Sequence, residues 1–252
     1  LIRRGRNYVC SCPFHSEKTP SCTVFTDNQS FYCFGCGSGG DVITFTMKIE
    51  NLSFTEAVKL LAQRSGLEIP ENNSADSRIA QRRTRIYEMN RIAANFFYTN
   101  LIKGDDKAGL SYFADRKLLP QTIKKYGLGY APDSWDKLTK LLSSKGYSND
   151  EITDAWLGAR SKKGSIYDIF RKRVMFPIVD LRGNIIGFGG RVLDGSQPKY
   201  LNTSQTPVFE KGSNLFSMNF AKNAETKRII LCEGYMDVIA VNQAGFENAV
   251  AT

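Results

Sequence analysis

Short stretches of alternating apolar and polar residues open the chain, and they predict strands at residues 22–25 and 30–33 joined by a tight turn. Two helices should follow, the first beginning at Asp41 and the second at the capping-box sequence Ser53–Glu56. These short elements indicate a small domain, which we place over residues 1–70.

The pattern changes after residue 70. Residues 71–77 are polar and show no periodicity, so we expect a linker there. Apolar residues then recur at helical spacing from about Arg78 to Ile102, which predicts a long helix with one buried face. Shorter helices should follow it, and together with the sheet described next they define a second domain over residues 78–226.

Two longer apolar runs in this second domain predict neighbouring strands. Residues 173–179 and 184–192 are strand-like and are separated by a short turn. Gly187, Gly189 and Gly190 interrupt the second of these strands. Glycines at such positions either let a ligand or another strand come close to the backbone, or they mark a bulge.

The end of the chain has the pattern of a βαβ unit. An apolar strand at residues 228–232 is followed by a helix at 238–244 and by the start of another strand at 248–251. Glu233 and Asp237 follow the first strand, at the edge of a parallel sheet where ligands bind. Two carboxylates there could hold Mg²⁺, although Glu233 could instead cap the helix.

The charge of the chain favours a polyanionic partner. The formal net charge is +9, and residues 160–228 contain thirteen basic and five acidic residues among strand-like runs. A solvated surface is the alternative, but a sheet face lined with cations suits nucleic acid better. The chain has neither an apolar run of the roughly 18 residues that span a bilayer nor an apolar signal sequence. We therefore expect a cytoplasmic protein without membrane contact.

Cysteine and histidine spacing predicts a metal site near the amino terminus. Cys12 and His15 form one pair, and Cys33 and Cys36 form another, separated by seventeen residues that can fold as a hairpin. Four such ligands suit one tetrahedral zinc ion, in the arrangement of a zinc ribbon. Cys10 is a competing ligand, but it would break the spacing of the first pair.

Other side chains of this region divide between packing and binding. Cys22 lies on a predicted strand, so we expect it to be a small core residue. Phe31 and Tyr32 crowd the metal site near a lysine, and exposed aromatic residues beside cations can stack on unpaired bases. Phe14 and Phe34 we expect in the core, because so small a domain needs aromatic residues for packing.

Two segments of this region are typical of a known family. The sequences Cys12–Pro20 and Tyr32–Cys36 resemble the zinc-binding domain of bacterial replicative DNA primases. The resemblance implies that the domain helps to engage a single-stranded template and to select the site at which a primer begins.

The basic region is similar to the same family. Residues 170–177, 198–202 and 210–212 resemble the basic motifs of the primase polymerase domain. The resemblance implies that cations in these motifs steady the nucleotide triphosphate and the template phosphates. It carries that role to Arg173, Arg191, Lys199, Asn202 and Lys211.

Residues 231–238 resemble the first motif of the TOPRIM fold, which primases share with topoisomerases. By that resemblance Glu233 is a metal ligand or the general base for the primer hydroxyl, and Asp237 supports the metal site. Residues 227–252 should then begin a truncated TOPRIM subdomain. The second acidic motif of the family, a pair of aspartates, is absent from the chain. A start at Leu without Met also indicates a fragment, which we expect to be inactive alone.

The resemblance implies an α+β multidomain fold: a zinc ribbon, a mixed α/β polymerase domain and the start of TOPRIM. The implied function is a DNA primase, a DNA-directed RNA polymerase that makes short primers by nucleotidyl transfer. It would use structural Zn²⁺ and catalytic Mg²⁺, single-stranded DNA and ribonucleoside triphosphates. It would act as a monomer at the bacterial replication fork, and meet the replicative helicase through a missing carboxyl-terminal domain.

Two other functions compete with this interpretation. A zinc-containing DNA-binding or repair protein could use TOPRIM only as a scaffold, which leaves the basic motif at residues 198–202 unexplained. A topoisomerase would need a nucleophilic tyrosine tied to the acidic site, and no tyrosine in the sequence is identified as one. The primase hypothesis accounts for every segment.

Overall fold

The computed structural model describes most of the chain: residues 1–50, 52–67, 74–226 and 228–252. The chain divides into two compact units, Leu1–Asn72 and Asn73–Thr252. Within the described residues, the first unit has one sheet and one buried cluster of side chains, and the second has three sheets and three such clusters. None of the helices in the described residues is long and apolar enough to cross a membrane.

The first unit is built on a five-stranded antiparallel sheet whose strands pair in chain order. The strands are β1 (Ile2–Arg4), β2 (Asn7–Cys10), β3 (Cys22–Phe25), β4 (Ser30–Cys33) and β5 (Gly39–Asp41). Two helices follow the sheet, α1 (Val42–Glu50) and α2 (Phe54–Arg64). The two strands predicted from alternation are therefore confirmed as β3 and β4.

Local hydrogen bonds explain where the two helices begin. The Asp41 carboxylate accepts the backbone N–H of Thr44 at 2.7 Å, which satisfies a free amide in the first turn of α1. At α2 the capping box is confirmed: Ser53 Oγ accepts the Glu56 amide, and Glu56 Oε2 accepts the Ser53 amide at 2.9 Å.

The second unit is larger and contains seven helices and eight strands within the described residues. The helices are α3 (Ser74–Lys103), α4 (Ala108–Asp115), α5 (Pro120–Tyr126), α6 (Lys137–Ser144), α7 (Asn149–Asp154), α8 (Met218–Ala221) and α9 (Tyr235–Gln243). The strands are β6 (Gly129–Ala131), β7 (Gly158–Arg160), β8 (Ile166–Asp168), β9 (Arg173–Val179), β10 (Ile185–Val192), β11 (Tyr200–Asn202), β12 (Ile230–Cys232) and β13 (Ala249–Ala251).

The central sheet of this unit is antiparallel, with the order β11-β10-β9-β6. Apolar side chains of α3 lie in the same buried cluster as those of β9 and β10, namely Ile86, Met89, Ala93, Phe97, Met175 and Phe188. A second cluster joins the intervening residues of β9, Val174 and Phe176, to α4, α9 and β13. The alternation of β9 thus places it between two cores, which explains its continuous apolar sequence.

The linker prediction is partly wrong. Residues 71–73 lie outside the described residues, but residues 74–77 are helical, since α3 begins at Ser74 and not at Arg78. Serine and aspartate are frequent at helix starts, so a short polar sequence without periodicity can be either a linker or a first turn. The helix then continues to Lys103, one residue beyond the predicted end.

The glycines of β10 face the protein itself and not a ligand. A Cβ atom at Gly189 would lie 2.4 Å from the ring of Tyr235, and one at Gly187 would lie 2.9 Å from Thr203. At Gly190 the ring of Phe170 would be 3.0 Å away. Side chains from other elements fill this space, while the register shift between Ile185 and Gly187 bears out a local irregularity.

The βαβ unit at the end of the described chain is present, with a parallel β12–β13 pair. Its helix begins at Tyr235, three residues earlier than predicted, because the extended backbone of Gly234 (φ −154°, ψ 171°) places the N-cap there. Asp237 consequently lies in the first turn of α9. The predicted fold class, a zinc ribbon followed by a mixed α/β unit, is confirmed.

Candidate metal centre and nucleic-acid interface

Cys12, His15, Cys33 and Cys36 come together at one end of the first sheet. One ligand atom from each residue lies within 4.8 Å of every other. The Sγ atoms of Cys12 and Cys36 are 3.8 Å apart, and His15 Nδ1 lies 3.7 Å from Cys33 Sγ. These separations match the edges of a tetrahedron around a zinc ion with Zn–S bonds of about 2.3 Å. The donor set therefore fits Zn²⁺.

Glu17 organises this cluster, and sequence reasoning missed it. Its carboxylate accepts the backbone amides of Cys12 at 2.7 Å and Ser21 at 3.0 Å, and lies 3.2 Å from His15 Nε2. A carboxylate on Nε2 leaves Nδ1 free to face the metal. The Ser21 hydroxyl and these amides hold the pKa of Glu17 below its usual value. No spacing rule marks Glu17, which lies between the two ligand pairs.

Hydrogen bonds around Cys33 favour its thiolate form. Burial alone raises the pKa of this thiol, but bonds from the Ser21 hydroxyl and the amides of Cys36 and Gly35 lower it to about 6. Gly35 is needed for this turn, because a Cβ atom there would lie 2.7 Å from His15 Nε2. The knuckle glycine thus makes room for the histidine as well as for the turn.

Cys10 and Cys22 lie outside the four-ligand cluster. Cys22 is 1% exposed and belongs to the buried cluster of the first unit, as predicted. Cys10 is partly exposed and packs against that cluster. Strand pairing sets Cys10 opposite Cys22, and Cys22 opposite Cys33, so three sulfur-bearing residues stand side by side across β2, β3 and β4.

The aromatic residues of the first unit divide differently from the prediction. Phe14 packs with Phe31 and Phe45 at centroid distances of 5.7 and 5.3 Å, which confirms it as part of the core. Phe34 is 71% exposed, so its predicted burial is wrong. It follows β4 in the metal-binding turn, where the side chain points outward beside Tyr32 at 5.1 Å. Two exposed rings therefore stand next to Cys33 and Cys36.

Arg173 is hydrogen-bonded to the backbone of two neighbouring segments. Its side chain is buried, and Nη1 donates to the carbonyl oxygens of Gly190 at 3.2 Å and Pro198 at 2.9 Å. Burial lowers the pKa of the guanidinium. Arg173 holds the segment that precedes β11, which carries Lys199, and its contact with phosphate stays a prediction.

Arg191 stands between two tyrosines at the opposite face of the same strand pair. Its guanidinium lies 4.7 Å from the ring centroid of Tyr112 and 5.9 Å from that of Tyr200, and it donates a hydrogen bond to the Tyr112 hydroxyl. The guanidinium of Arg116 also lies 5.5 Å from the ring centroid of Tyr112. Lys199, Asn202 and Lys211 are exposed in the segments that follow β10.

A second cation–aromatic stack, absent from the sequence prediction, lies at the surface of the same unit. Trp135 is 64% exposed, and the Arg171 guanidinium covers it at 3.9 Å from the ring centroid. Tyr167 lies 5.4 Å from the same guanidinium. The only sequence signal is a tryptophan in the polar segment Asp133–Asp136, since the partners come from residues more than thirty positions away.

Asp168 holds both residues of this stack through its backbone. Its buried carboxylate accepts the amides of Leu138 at 2.9 Å and Thr139 at 2.8 Å at the start of α6. Its own N–H donates to the Trp135 carbonyl at 2.7 Å, and its carbonyl accepts from Arg171. Burial raises the pKa of Asp168 despite the two amides. One residue therefore orders both members of the stack.

Glu233 and Asp237 are exposed near the end of β12 and the start of α9. Tyr235, between them, stacks on Phe176 at 5.2 Å and lies 6.3 Å from Tyr200. Burial raises the pKa of Tyr200, and the charges of Arg191 and Asp237 both act on it. Among the described residues, clusters of three or more metal-ligand side chains are confined to the cysteine–histidine site.

Comparison with known proteins agrees with this architecture. Residues 1–77 match the CHC2 zinc finger family, and residues 96–222 match the family described as DNA primase catalytic core, N-terminal domain. The fold thus places the chain in the class that joins a zinc ribbon to a primase-type polymerase unit. The chain belongs to the bacterial DNA primase family.

Named relatives and solved structures extend the match along the whole chain. The DNA primase of Clostridium acetobutylicum is 47% identical over all of this chain and 42% of its own length. That of Pseudomonas aeruginosa is 44% identical, with 39% of its length covered. The chain therefore spans about two fifths of these relatives.

Among solved structures, the Aquifex aeolicus primase with its zinc-binding and RNA polymerase domains is 36% identical, with a TM-score of 0.63. The match covers 100% of this chain and 60% of that one. A primase catalytic domain bound to single-stranded DNA is 38% identical over 68% of this chain and 56% of its own, with a TM-score of 0.65.

Proposed function

We propose that this chain is part of a DNA primase that makes short RNA primers on single-stranded DNA by metal-dependent nucleotidyl transfer. The observation that carries the proposal is that the cation Arg191 lies near the segment that holds the carboxylates Glu233 and Asp237. Tyr200 lies 5.9 Å from the Arg191 guanidinium and 6.3 Å from the ring of Tyr235, which stands between Glu233 and Asp237 in the chain. Cations beside a carboxylate site suit a triphosphate whose metal ions the carboxylates hold.

Glu233 and Asp237 are the residues that would hold Mg²⁺ in this proposal. The ion would neutralise charge on the transferring phosphoryl group and orient the attacking hydroxyl. Arg191 would contact the phosphates, with Tyr112 and Arg116 fixing its direction, while Lys199, Asn202 and Lys211 supply further contacts. Two carboxylates are only part of a two-metal site, so we propose that these 252 residues bind template without synthesising primers.

The template would lie along the exposed cation–aromatic surfaces. Bases stack on aromatic rings, and arginines bind the backbone between them. Trp135 with Arg171 offers such a surface in the second unit. In the first unit, the exposed rings of Tyr32 and Phe34 beside the metal centre offer a place for bases to stack. A related primase catalytic domain was solved bound to single-stranded DNA, which supports single-stranded DNA as the partner. Zn²⁺ would serve the first unit as a structural ion.

The wider role follows from the same proposal. Such a protein would act in the bacterial cytoplasm at the replication fork and use ribonucleoside triphosphates. It would meet the replicative helicase through a region beyond these residues, and we propose that it works as a monomer. The partners follow from the family and not from a contact within the described residues.

Ribonucleotide incorporation on a single-stranded template tests the function. In the full-length protein, Glu233→Gln should abolish Mg²⁺-dependent synthesis, because it removes a metal-binding charge, while zinc content and template binding stay unchanged. Glu225→Gln is the matched control, since Glu225 is exposed and precedes β12. Robust synthesis by Glu233→Gln, or by residues 1–252 alone, would contradict the proposed site.

A further inference from the structure

Cys10 and Cys22 form a pair of thiols that the zinc assignment leaves unused. They are directly opposite each other in the antiparallel pairing of β2 and β3. Residues so placed have Cα atoms about 4.5–5.5 Å apart and side chains on the same face of the sheet. A disulfide needs Cα atoms about 4.4–6.8 Å apart, so the separation of the paired residues suits a bridge.

The two thiols differ in their access to solvent. Cys10 is partly exposed and packs against the small buried cluster, whereas Cys22 is 1% exposed within it. A small oxidant in solution therefore meets Cys10 first. Cys22 lies behind it, in position to react with an oxidised Cys10 and protected from direct attack.

We propose that Cys10 and Cys22 are a site of reversible oxidation by hydrogen peroxide. The Cys10 sulfur attacks one peroxide oxygen, so that an S–O bond forms, the O–O bond breaks and one water leaves with a proton from the thiol. The Cys22 sulfur then attacks the sulfenic acid, forms the S–S bond and expels the oxygen as a second water. Two thiols lose two electrons to one peroxide, and a dithiol reductant reverses the change.

Cys33 is the competing partner, because it stands opposite Cys22 on the other side, in β4. Cys33 belongs to the four-ligand cluster, and its Sγ lies 3.2 Å from the Ser21 hydroxyl. A bound zinc ion would hold this thiolate and leave Cys10 as the available partner. This step rests on the proposed zinc site. The pair would then take up oxidant while all four ligands keep the metal.

Peptide mapping of the full-length, zinc-loaded protein tests the proposal. Zinc is first quantified, and the protein is then treated with equimolar hydrogen peroxide, alkylated and digested. We expect a peptide pair linked through Cys10 and Cys22, lighter by two hydrogens than the two reduced peptides, with zinc still bound. A Cys22–Cys33 link, or zinc release without a Cys10–Cys22 link, would overturn it.

Single substitutions give a second, independent reading. Cys10→Ser keeps the size of the side chain at a partly exposed position, and it should eliminate the cross-link while zinc content stays at one per chain. Its zinc should be lost at lower peroxide concentration than in the unchanged protein, and unaltered peroxide sensitivity would count against the pair. Because zinc is measured before oxidant is added, failure of the metal assignment is seen separately.

Discussion

The first unit packs around sulfur, whereas the second packs around hydrocarbon. Among the described residues of the first unit, the buried cluster consists of Cys12, Cys22, Phe31 and Cys33. In the second unit two clusters of aliphatic and aromatic side chains lie on either side of β9. A core of three cysteines and one phenylalanine buries little apolar area, so metal binding must supply much of the folding free energy. The second unit has no such need.

Removing zinc should produce the largest difference between the two units. We expect Cys33→Ala, or chelation, to unfold the first unit and to leave the second folded, because a structural zinc site contributes on the order of 10 kcal/mol. Limited proteolysis with mass spectrometry would show cleavage within residues 1–72 only. Lys18→Ala, on an exposed residue between the ligands, is the control. Retention of stoichiometric zinc by Cys33→Ala would refute the assignment.

Phe97→Ala should have the opposite selectivity. The Phe97 ring is 1% exposed and contacts the rings of Phe170 and Phe188, so its loss leaves a cavity costing about 3–5 kcal/mol. Urea unfolding of the second unit should shift to lower concentration, while zinc content stays at one per chain. Phe246→Ala, on a residue 55% exposed, is the matched control. An equal effect of both substitutions would show that burial is not the cause.

Exposed aromatic residues should matter for binding in both units and for stability in neither. Phe34→Ala and Trp135→Ala should each weaken single-stranded DNA binding by about 1–3 kcal/mol, the contribution of one stacked base. Fluorescence anisotropy with a labelled oligonucleotide measures this effect. Leu231→Ala, which removes a similarly exposed apolar side chain outside the proposed template surfaces, is the control. Unchanged affinity in both aromatic variants would contradict the proposed stacking of template bases on these rings.

The smallest expected effect is on how the stability of the second unit depends on pH. The ion pair of Arg85 with Glu151 joins α3 to α7. The Arg85 guanidinium and the hydrogen bonds of the Ser148 cap lower the pKa of Glu151 to about 2. Because the folded value is below the unfolded one of about 4.3, this stabilisation is complete above about pH 5 and is lost toward pH 2. Arg85→Met should remove about 1 kcal/mol of that pH dependence, since the pair is partly exposed.

Urea unfolding at about pH 7 and about pH 3 measures the acid effect. Lys140→Met, which breaks the exposed pair with Asp136, is the control and should leave the pH dependence unchanged. The first unit, whose ligands must lose protons to bind metal, should also weaken in acid, but through zinc release. Measured zinc content therefore separates the two responses.

Local signals were sufficient for the metal centre but not for the basic surface. The ligand pairs are set by turns of a few residues, so spacing alone predicted Cys12, His15, Cys33 and Cys36 as neighbours. Arg173 looked like the other cations of its motif, yet its burial depends on a strand pairing and a loop that residue type does not encode. The same limit applies to Phe34 and Phe14, because the side chain of Phe34 points into solvent and that of Phe14 into the core, and residue type does not encode that direction.

Long-range contacts account for the other differences. Trp135 and Arg171 are far apart in sequence, and Asp168 joins them through backbone bonds that no side-chain pattern reveals. For Gly189 the sequence left a ligand, another strand and a bulge open, because the ring that fills this space comes from Tyr235, in another segment. Periodicity predicted the long helix α3 and the strands β3, β4, β9, β10, β12 and β13, but it did not mark the short strands β1, β2, β5, β7 and β8. Helix starts differed by a few residues, because serine, aspartate and glycine fit more than one backbone conformation.

The Tyr235 ring has a mechanical consequence for the acidic edge. It lies flat against Phe176, and the bare backbone at Gly189 leaves only enough depth for its thickness. Glu233 and Asp237 are each two residues from Tyr235 in the chain, so the packing of this ring restrains both of them. In the proposed site, this packing would therefore help to set the position of a bound ion relative to Arg191. A methyl group at Gly189 would lie 2.4 Å from the Tyr235 ring, so it would displace Tyr235 and, with it, Glu233 and Asp237.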